Sequence, residues 1–355
     1  MDATQVKAGA QRISIISTAV YIPQNFETSE QISAASGIPQ DVLERKMGIK
    51  RKPIPGEEDH SCAMGIYAAR EAITKAGIDP LEIDLVIYIG EEHKEYPVWT
   101  AALKLQQEVG ALNAWGFDVA LRCCTTIMAI KVAKNMMLAD EDIRTVLLAG
   151  GYRNSDLIDY ENPRTRFMFN LSAGGGAMIL RKEASSLTNE GEAFTCLGEV
   201  LASHVITDGS FSEDVIICAG GTKQPITPEA FARRQQYFDV PDPEAMKARL
   251  DDKSMQNFVA AIRESVKKSG YRTEDINYLA ILHMKKSAHE YVLHELGLTE
   301  EQTVYLENYG HIGQFDQILS LELGLQQGKI QSGDLVVLVS AGVGYAWGAT
   351  TIKWR

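Results

Sequence analysis

Two cysteines stand side by side at Cys123 and Cys124, after the run AWGFDVAL and before TTIMAIKVAKNMML. The second run is apolar nearly all round, with polar breaks only at Lys131, Lys134 and Asn135, the pattern of a mostly buried helix. A cysteine at the mouth of such a helix meets unpaired backbone N–H groups and the positive end of the helix dipole. Both favour the thiolate, the form that attacks carbonyl carbon. Cysteine also serves as a small buried hydrophobe, so position alone leaves both roles open. A nucleophilic thiol needs a proton acceptor in space. His283 closes the strand-like run YLAIL, and His311 lies in ENYGHIGQF between an expected strand TVYL (303–306) and a helix beginning near Phe315. In SAGVGYAWG, Gly342 and Gly344 make a tight turn between two strands whose backbone N–H groups could face an oxyanion, although a plain hairpin has the same signature.

The elements that must bring these groups together repeat along the chain. Residues 68–93 (AAREAITKAGIDPLEIDLVIYIGEEH) align without a gap on residues 261–286 (AIRESVKKSGYRTEDINYLAILHMKK). Each is an amphipathic helix stopped by a glycine, Gly77 or Gly270, then a polar loop and a strand. DEDIRTVLLAGGY (140–152) parallels QSGDLVVLVSAGVGY (331–345), and GGGAMILRK (174–182) resembles WGATTIKW (347–354). The chain therefore reads as two duplicated α/β halves. Continuous apolar strands such as LVIYI and LVVLV imply sheets covered on both faces. In such sheets ligands gather at strand carboxyl ends. Cys123, His283 and His311 all fall there, around a pseudo-twofold interface. The boundaries predicted are 1–185 for the first half, 186–255 for a linker and surface excursion, and 256–355 for the second half.

Composition narrows the class. Hydrophobic content of 45% and charged content of 23% are those of a globular protein. No apolar run reaches the ~18 residues of a membrane span. MDATQVKAGAQR lacks the apolar core of a secretory signal, so the reading is cytoplasmic. A net charge of −12 argues against nucleic acid as a partner. Local basic stretches, KMGIKRK (46–52) and the group Arg263, Lys267 and Lys268, leave room for a phosphorylated or acidic one. The five cysteines are too irregular for a disulfide framework and lie far from histidine, which predicts no metal site.

With these residues in view, the chain resembles the thiolase superfamily, nearest the β-ketoacyl-acyl-carrier-protein synthase III type. ISIISTAVYIPQNFETSEQI looks like that family's opening strand and turn, MGIKRK like its Thr-Gly-Ile-Arg region, and FDVALRC like its nucleophile strand. TDGSFSEDVIICAGGTKQP looks like the segment joining the halves, and the run from Tyr309 to Trp354 like the closing unit. The resemblance implies a five-layer αβαβα fold. It also implies Cys123 as the acyl-accepting nucleophile, with the backbone N–H groups of Cys123 and Val343 as oxyanion donors. Cys124 would be core packing.

The same resemblance makes His283 a catalytic histidine. His311 stands where the family carries asparagine, so elongating relatives with Cys–His–His are similar. Arg166, Gly342 and Gly344 are implied as substrate-binding, and Tyr96 as a dimer-loop residue limiting acyl length. Val42 replaces the usual adenine-stacking Trp, and HMKK (283–286) sets two cations beside the site.

The implied reaction is decarboxylative condensation of an acyl-Cys with a malonyl thioester. It needs no cofactor: acyl-coenzyme A, or an acyl carrier protein in its place, is substrate, and the enzyme is a homodimer. Two alternatives stand beside it. One moves the acyl group to a hydroxyl or amine without releasing carbon dioxide. The other is a non-catalytic partner subunit.

Overall fold

The computed structural model describes residues 11–183 and 196–355. In the first half the chain runs β1 (Ile13–Tyr21), α1 (Ser61–Ala76), β2 (Leu85–Tyr88), α2 (Ala101–Val109), β3 (Trp115–Asp118), α3 (Thr125–Ala139), β4 (Thr145–Tyr152) and β5 (Gly174–Lys182). The second half runs β6 (Gly198–Thr207), α4 (Pro243–Lys268), β7 (Tyr278–Ile281), α5 (Lys286–Leu296), α6 (Asp316–Gln326), β8 (Leu335–Gly342) and β9 (Ala346–Trp354). α1 stops at Gly77 and α4 just before Gly270, as the aligned segments predict.

These strands form one sheet in the order β3-β2-β4-β5-β1-β6-β9-β8-β7. The order reads almost the same from either end, which is the duplication expressed as topology. β2 pairs parallel with β3 and β4, and β7 parallel with β8, while β4/β5 and β8/β9 are antiparallel in both halves. The halves meet where β1 and β6 pair antiparallel over Ser14↔Glu199 and Ile15↔Gly198.

Alternate residues along each strand feed different cores, as the period-2 pleat requires. Leu147 and Ala149 of β4 pack outward with α1 and α2, whereas Val146 and Leu148 pack inward with Ile127, Ile130 and Met137 of α3. In the second half Val337 and Val339 face α4 and α5, and Val336 and Leu338 face α3 and α6. The layers are therefore α1/α2, half-sheet, α3/α6, half-sheet, α4/α5: the five-layer α/β architecture. The two central helices are covered on both sides, which is why TTIMAIKVAKNMML is apolar nearly all round.

Two sequence expectations differ from the fold. The stretch 186–255 holds more than a linker: β6 sits at the centre of the sheet, and α4 begins inside the stretch at Pro243. GEVLASHVIT mixes buried and half-buried residues and carries small and polar side chains, so it lacks the apolar run that marks its neighbours. The expected 185/186 boundary lies outside the described residues. TVYL (303–306), the counterpart of β3, carries no strand assignment. Its Thr303 hydroxyl and Tyr305 hydroxyl donate instead to the carbonyls of Leu279 and Met284.

Ile130, fully buried in the middle layer, tests that packing. Ile130→Ala is expected to cost about 2–5 kcal/mol in urea unfolding, the usual range for emptying a well-packed aliphatic site. A loss under about 1 kcal/mol would mean that α3 is not clasped from both sides.

Candidate active site

The Cys123 turn is built from the end of the β3 segment and the start of α3. Arg122 adopts φ +50°, turning the chain so that Cys123 precedes the helix. The Thr125 hydroxyl accepts from the Leu121 N–H (2.8 Å) and donates to the Arg122 carbonyl (2.5 Å), closing the turn. The Ser340 hydroxyl on β8 donates to the Cys123 carbonyl at 2.6 Å, fixing the turn to the second half. A Cβ on Gly342 would lie 2.9 Å from the Leu121 carbonyl oxygen and 3.1 Å from the Cys123 nitrogen, so β8 can approach only with glycine there. Val343 and Gly344 form the hairpin tip beyond it, between β8 and β9.

The two thiols diverge. Cys123 is 8% exposed and Cys124 is fully buried. Cys124 packs so closely under β9 that a Cβ on Gly348 would lie 2.7 Å from its sulfur, and burial pushes its thiol up to about 12. It is a packing residue.

His311 reaches the reactive thiol: Nε2 lies 3.1 Å from Cys123 Sγ. Its Nδ1 lies 2.5 Å from Oδ2 of Asp316, the first residue of α6. Burial opposes charge on this imidazole, but the Asp316 carboxylate and Cys123 outweigh it and raise its proton affinity well above that of free imidazole. Asp316 is fully buried and accepts two further bonds, from the Ile312 N–H (2.8 Å) and the His283 backbone N–H (2.7 Å). The His311 backbone is held in turn by the segment before β5: its N–H donates to the Asn170 carbonyl (2.8 Å), and its carbonyl accepts from the Ser172 N–H (3.0 Å). Gly310 permits this approach, since a Cβ there would sit 2.5 Å from the Asn170 carbonyl oxygen and its φ is +60°.

His283 is next to this array but aimed elsewhere. Its Nε2 lies 2.9 Å from the Gly48 carbonyl and its Nδ1 2.9 Å from Asn170 Nδ2, while the Tyr305 ring stacks on it at 5.4 Å. Burial pushes it down to about 4, so the ring is neutral. A carbonyl accepts only, which places the proton on Nε2 and leaves Nδ1 to accept from Asn170. Both ring nitrogens are thus engaged away from the thiol.

Three residues to which sequence reasoning gave no place at the site complete the frame. Asp316 was signalled only by the His-x4-Asp spacing of HIGQFD. Asn170 binds the His283 ring and the His311 backbone together. Lys52, fully buried, donates to the carbonyls of Phe169 (2.9 Å) and Leu171 (2.6 Å), on either side of Asn170, with Glu27 3.5 Å away. Burial pulls this lysine down to about 8 against the attraction of Glu27. The KRK of the expected basic patch is therefore divided: Lys52 is internal, and Lys50 pairs with Glu307 at 2.7 Å.

Arg166 lies apart from the thiol, in a cleft of about 800 Å³ that it shares with Arg45, Lys46, Lys285, Lys286 and the apolar Val42. Glu290 is the lone carboxylate of its lining. Met47 lines it too and precedes Gly48, so the cleft borders His283. Tyr96 is 64% exposed, edge-on to Trp99 at 5.5 Å, on the segment between β2 and α2. Among the described residues no cluster of His, Cys, Asp or Glu fits a metal ion, and no helix is long and apolar enough to cross a membrane.

Known proteins resemble this chain over nearly its whole length. Residues 117–209 match the family model described as 3-oxoacyl-(acyl-carrier-protein) synthase III, and residues 266–354 match the model of that enzyme's C-terminal part. A β-ketoacyl-(acyl-carrier-protein) synthase III of Natranaerobius thermophilus is 25% identical over 96% of this chain and 98% of its own. The solved 3-oxoacyl-(acyl carrier protein) synthase III of Pseudomonas aeruginosa superposes with a TM-score of 0.80 at 19% identity, covering 97% of this chain and 98% of that one. OleA of Xanthomonas campestris, solved with lauric acid and lauroyl-CoA, gives 0.76 at 18% identity over 97% of this chain and 99% of that one.

The two buried neutral histidines predict an acid limit to stability. Burial also pushes His289 down to about 4, with His283 and Lys286 adding to the effect. Between pH 6.5 and 4 the unfolded chain binds protons at these two positions that the folded one refuses, so their contribution to stability is complete above 6.5 and falls as pH drops toward 4. The loss is up to about 3 kcal/mol per histidine. Chemical denaturation across that window should show it, and His289→Phe should remove about half of the slope. A pH-independent midpoint would contradict the neutral assignment.

Proposed function

Because this chain belongs to the 3-oxoacyl-(acyl-carrier-protein) synthase III family of the thiolase superfamily, we propose that it is an acyltransferase of that condensing type. In this reading it loads an acyl group onto Cys123 and condenses it with a malonyl thioester. The observation that carries the reading is the continuous contact of Cys123 Sγ, His311 and Asp316, at 3.1 Å and 2.5 Å. It is the nucleophile, base and orienting acid that acyl transfer requires.

The Cys123 thiolate attacks the thioester carbonyl, and the backbone N–H groups of Cys123 and Val343 receive the oxyanion. The thiol of coenzyme A leaves with the proton of His311, giving the acyl-enzyme. His311 regains a proton from solvent, and a malonyl thioester enters with its carbonyl oxygen accepting from the reprotonated Nε2. Loss of carbon dioxide makes the enolate, which attacks the acyl carbonyl. The β-ketoacyl thioester departs and the Cys123 thiolate is restored. No resident metal or cofactor takes part. His283, its N–H spent on Gly48, supports this sequence by holding Asn170 and, through its backbone, Asp316.

The cations Arg45, Lys46, Arg166, Lys285 and Lys286 suit the phosphates of coenzyme A or of a carrier protein's phosphopantetheine. Tyr96, with its side chain exposed, would be the loop residue that a homodimer presents to the neighbouring site.

One observation favours a second reading. Of the two catalytic-candidate histidines, His311, backed by Asp316, is the one that faces the thiol, and a single strong base suits deprotonation of an acceptor hydroxyl or amine. The acyl group would then pass to that acceptor without decarboxylation.

Intact-protein mass spectrometry after incubation with acyl-coenzyme A thioesters tests the shared step. A mass gain in the wild type that Cys123→Ala abolishes is expected. Carbon dioxide release on adding malonyl thioester supports condensation, and its absence together with an esterified or amidated acceptor supports the second reading. A chain that takes up no acyl group from any donor is a non-catalytic subunit, and both readings fall.

A further inference from the structure

On the side of β2 and β4, buried polar groups stand near the turns that carry Cys123 and His311. Glu91, just past the end of β2, is 5% exposed, and its Oε2 lies 3.4 Å from Nη1 of Arg122, the residue before the nucleophile. Tyr152, the last residue of β4, is buried with its ring 5.9 Å from the His311 ring. Asn154, two residues on, is 6% exposed, lies within reach of Glu91 and Tyr152, and its Oδ1 finds no partner. Gln314, fully buried between His311 and Asp316, spends its Nε2 on the Ile89 carbonyl at 2.6 Å, and its Oε1 is likewise unpartnered.

A buried acceptor without a donor costs roughly 1–3 kcal/mol, and native proteins hold few of them. Here one belongs to Gln314, in the turn between His311 and Asp316, and one to Asn154, which reaches Tyr152 beside His311 and the buried Glu91 carboxylate. All three groups accept hydrogen bonds, and an alkyl chain would satisfy none. The basic cleft cannot account for them, since none of these residues lines it.

Resting on the acyl-enzyme reading above, we propose that the acyl group taken up by Cys123 carries a hydrogen-bond donor, a hydroxyl or an amino group, received by Asn154 with Glu91 near it or by Gln314. Asn154, Gln314 and Glu91 are then the specificity-determining residues of the loading step. A site built to accept from a substrate hydroxyl or amine rejects the analogue lacking it more strongly than an apolar pocket rejects a missing methylene.

The test compares matched coenzyme A thioesters: 3-hydroxybutyryl, 3-aminobutyryl and the near-isosteric 3-methylbutyryl, with acetyl as reference. The initial rate of acyl-Cys123 formation is read by intact mass. The wild type should load the hydroxy or the amino donor at least about tenfold faster than 3-methylbutyryl, and whichever is faster names the donor. Asn154→Leu should narrow or invert that ratio, and Gln314→Met gives a second variant if the first folds poorly. Equal or faster loading of 3-methylbutyryl by the wild type overturns the proposal while the acyl-enzyme stands. Loading of acetyl alone overturns it too. If no donor loads, the acyl-enzyme reading fails, and this inference with it.

Discussion

A single buried carboxylate organises the site. Asp316 has no solvent exposure, and an ionised carboxylate in that setting is tolerated only when its oxygens are occupied by donors. It meets this by accepting from the His311 ring, the Ile312 N–H and the His283 backbone N–H, at the start of α6 where the helix dipole also favours negative charge. Each bond fixes something else: the direction of the imidazole, the turn before the helix, and the end of β7. Removing the carboxylate would leave His311 without an anchor, and a one-sided break in a buried polar network is costly.

The duplication explains why such a site can exist. α3 and α6 are counterparts in the two halves and fill the same middle layer between the half-sheets. Cys123 precedes the first of them and His311 the second, so the nucleophile and its base occupy related turns brought together at the pseudo-twofold interface. Contacts across the interface pin them: Ser340 of the second half to the Cys123 carbonyl, and Asn170 of the first to both histidines. Lys52 braces this array from behind through the carbonyls flanking Asn170.

The amount of this that was legible in the sequence follows from the range of the interactions. The helix-stopping glycines, apolar strands and internal repeat are local signals, and from them the layered fold and the turns bearing Cys123 and His311 could be placed. β6 escaped because its small and polar residues give no apolar run, and TVYL was expected as a strand although its side chains anchor it outside the sheet. Asp316 resembles any acidic residue opening a helix until its partner is known. Asn170 and Lys52 act on residues more than a hundred positions away, and no spacing rule reaches that far. The direction of the His283 ring depends on Gly48 and Asn170 together, which sequence pattern does not encode.

The most direct test of this account is the rate at which Asp316→Asn forms acyl-Cys123 from a good acyl-coenzyme A donor, with circular dichroism confirming the fold. An amide in place of the carboxylate keeps the shape but no longer favours the His311 proton on Nδ1. The account predicts a fall of about 10²–10⁴-fold in the acylation rate, as for other nucleophile–histidine–acid sites. A rate within about twofold of the wild type would show that Asp316 only packs the turn, and that Cys123 draws its reactivity from elsewhere.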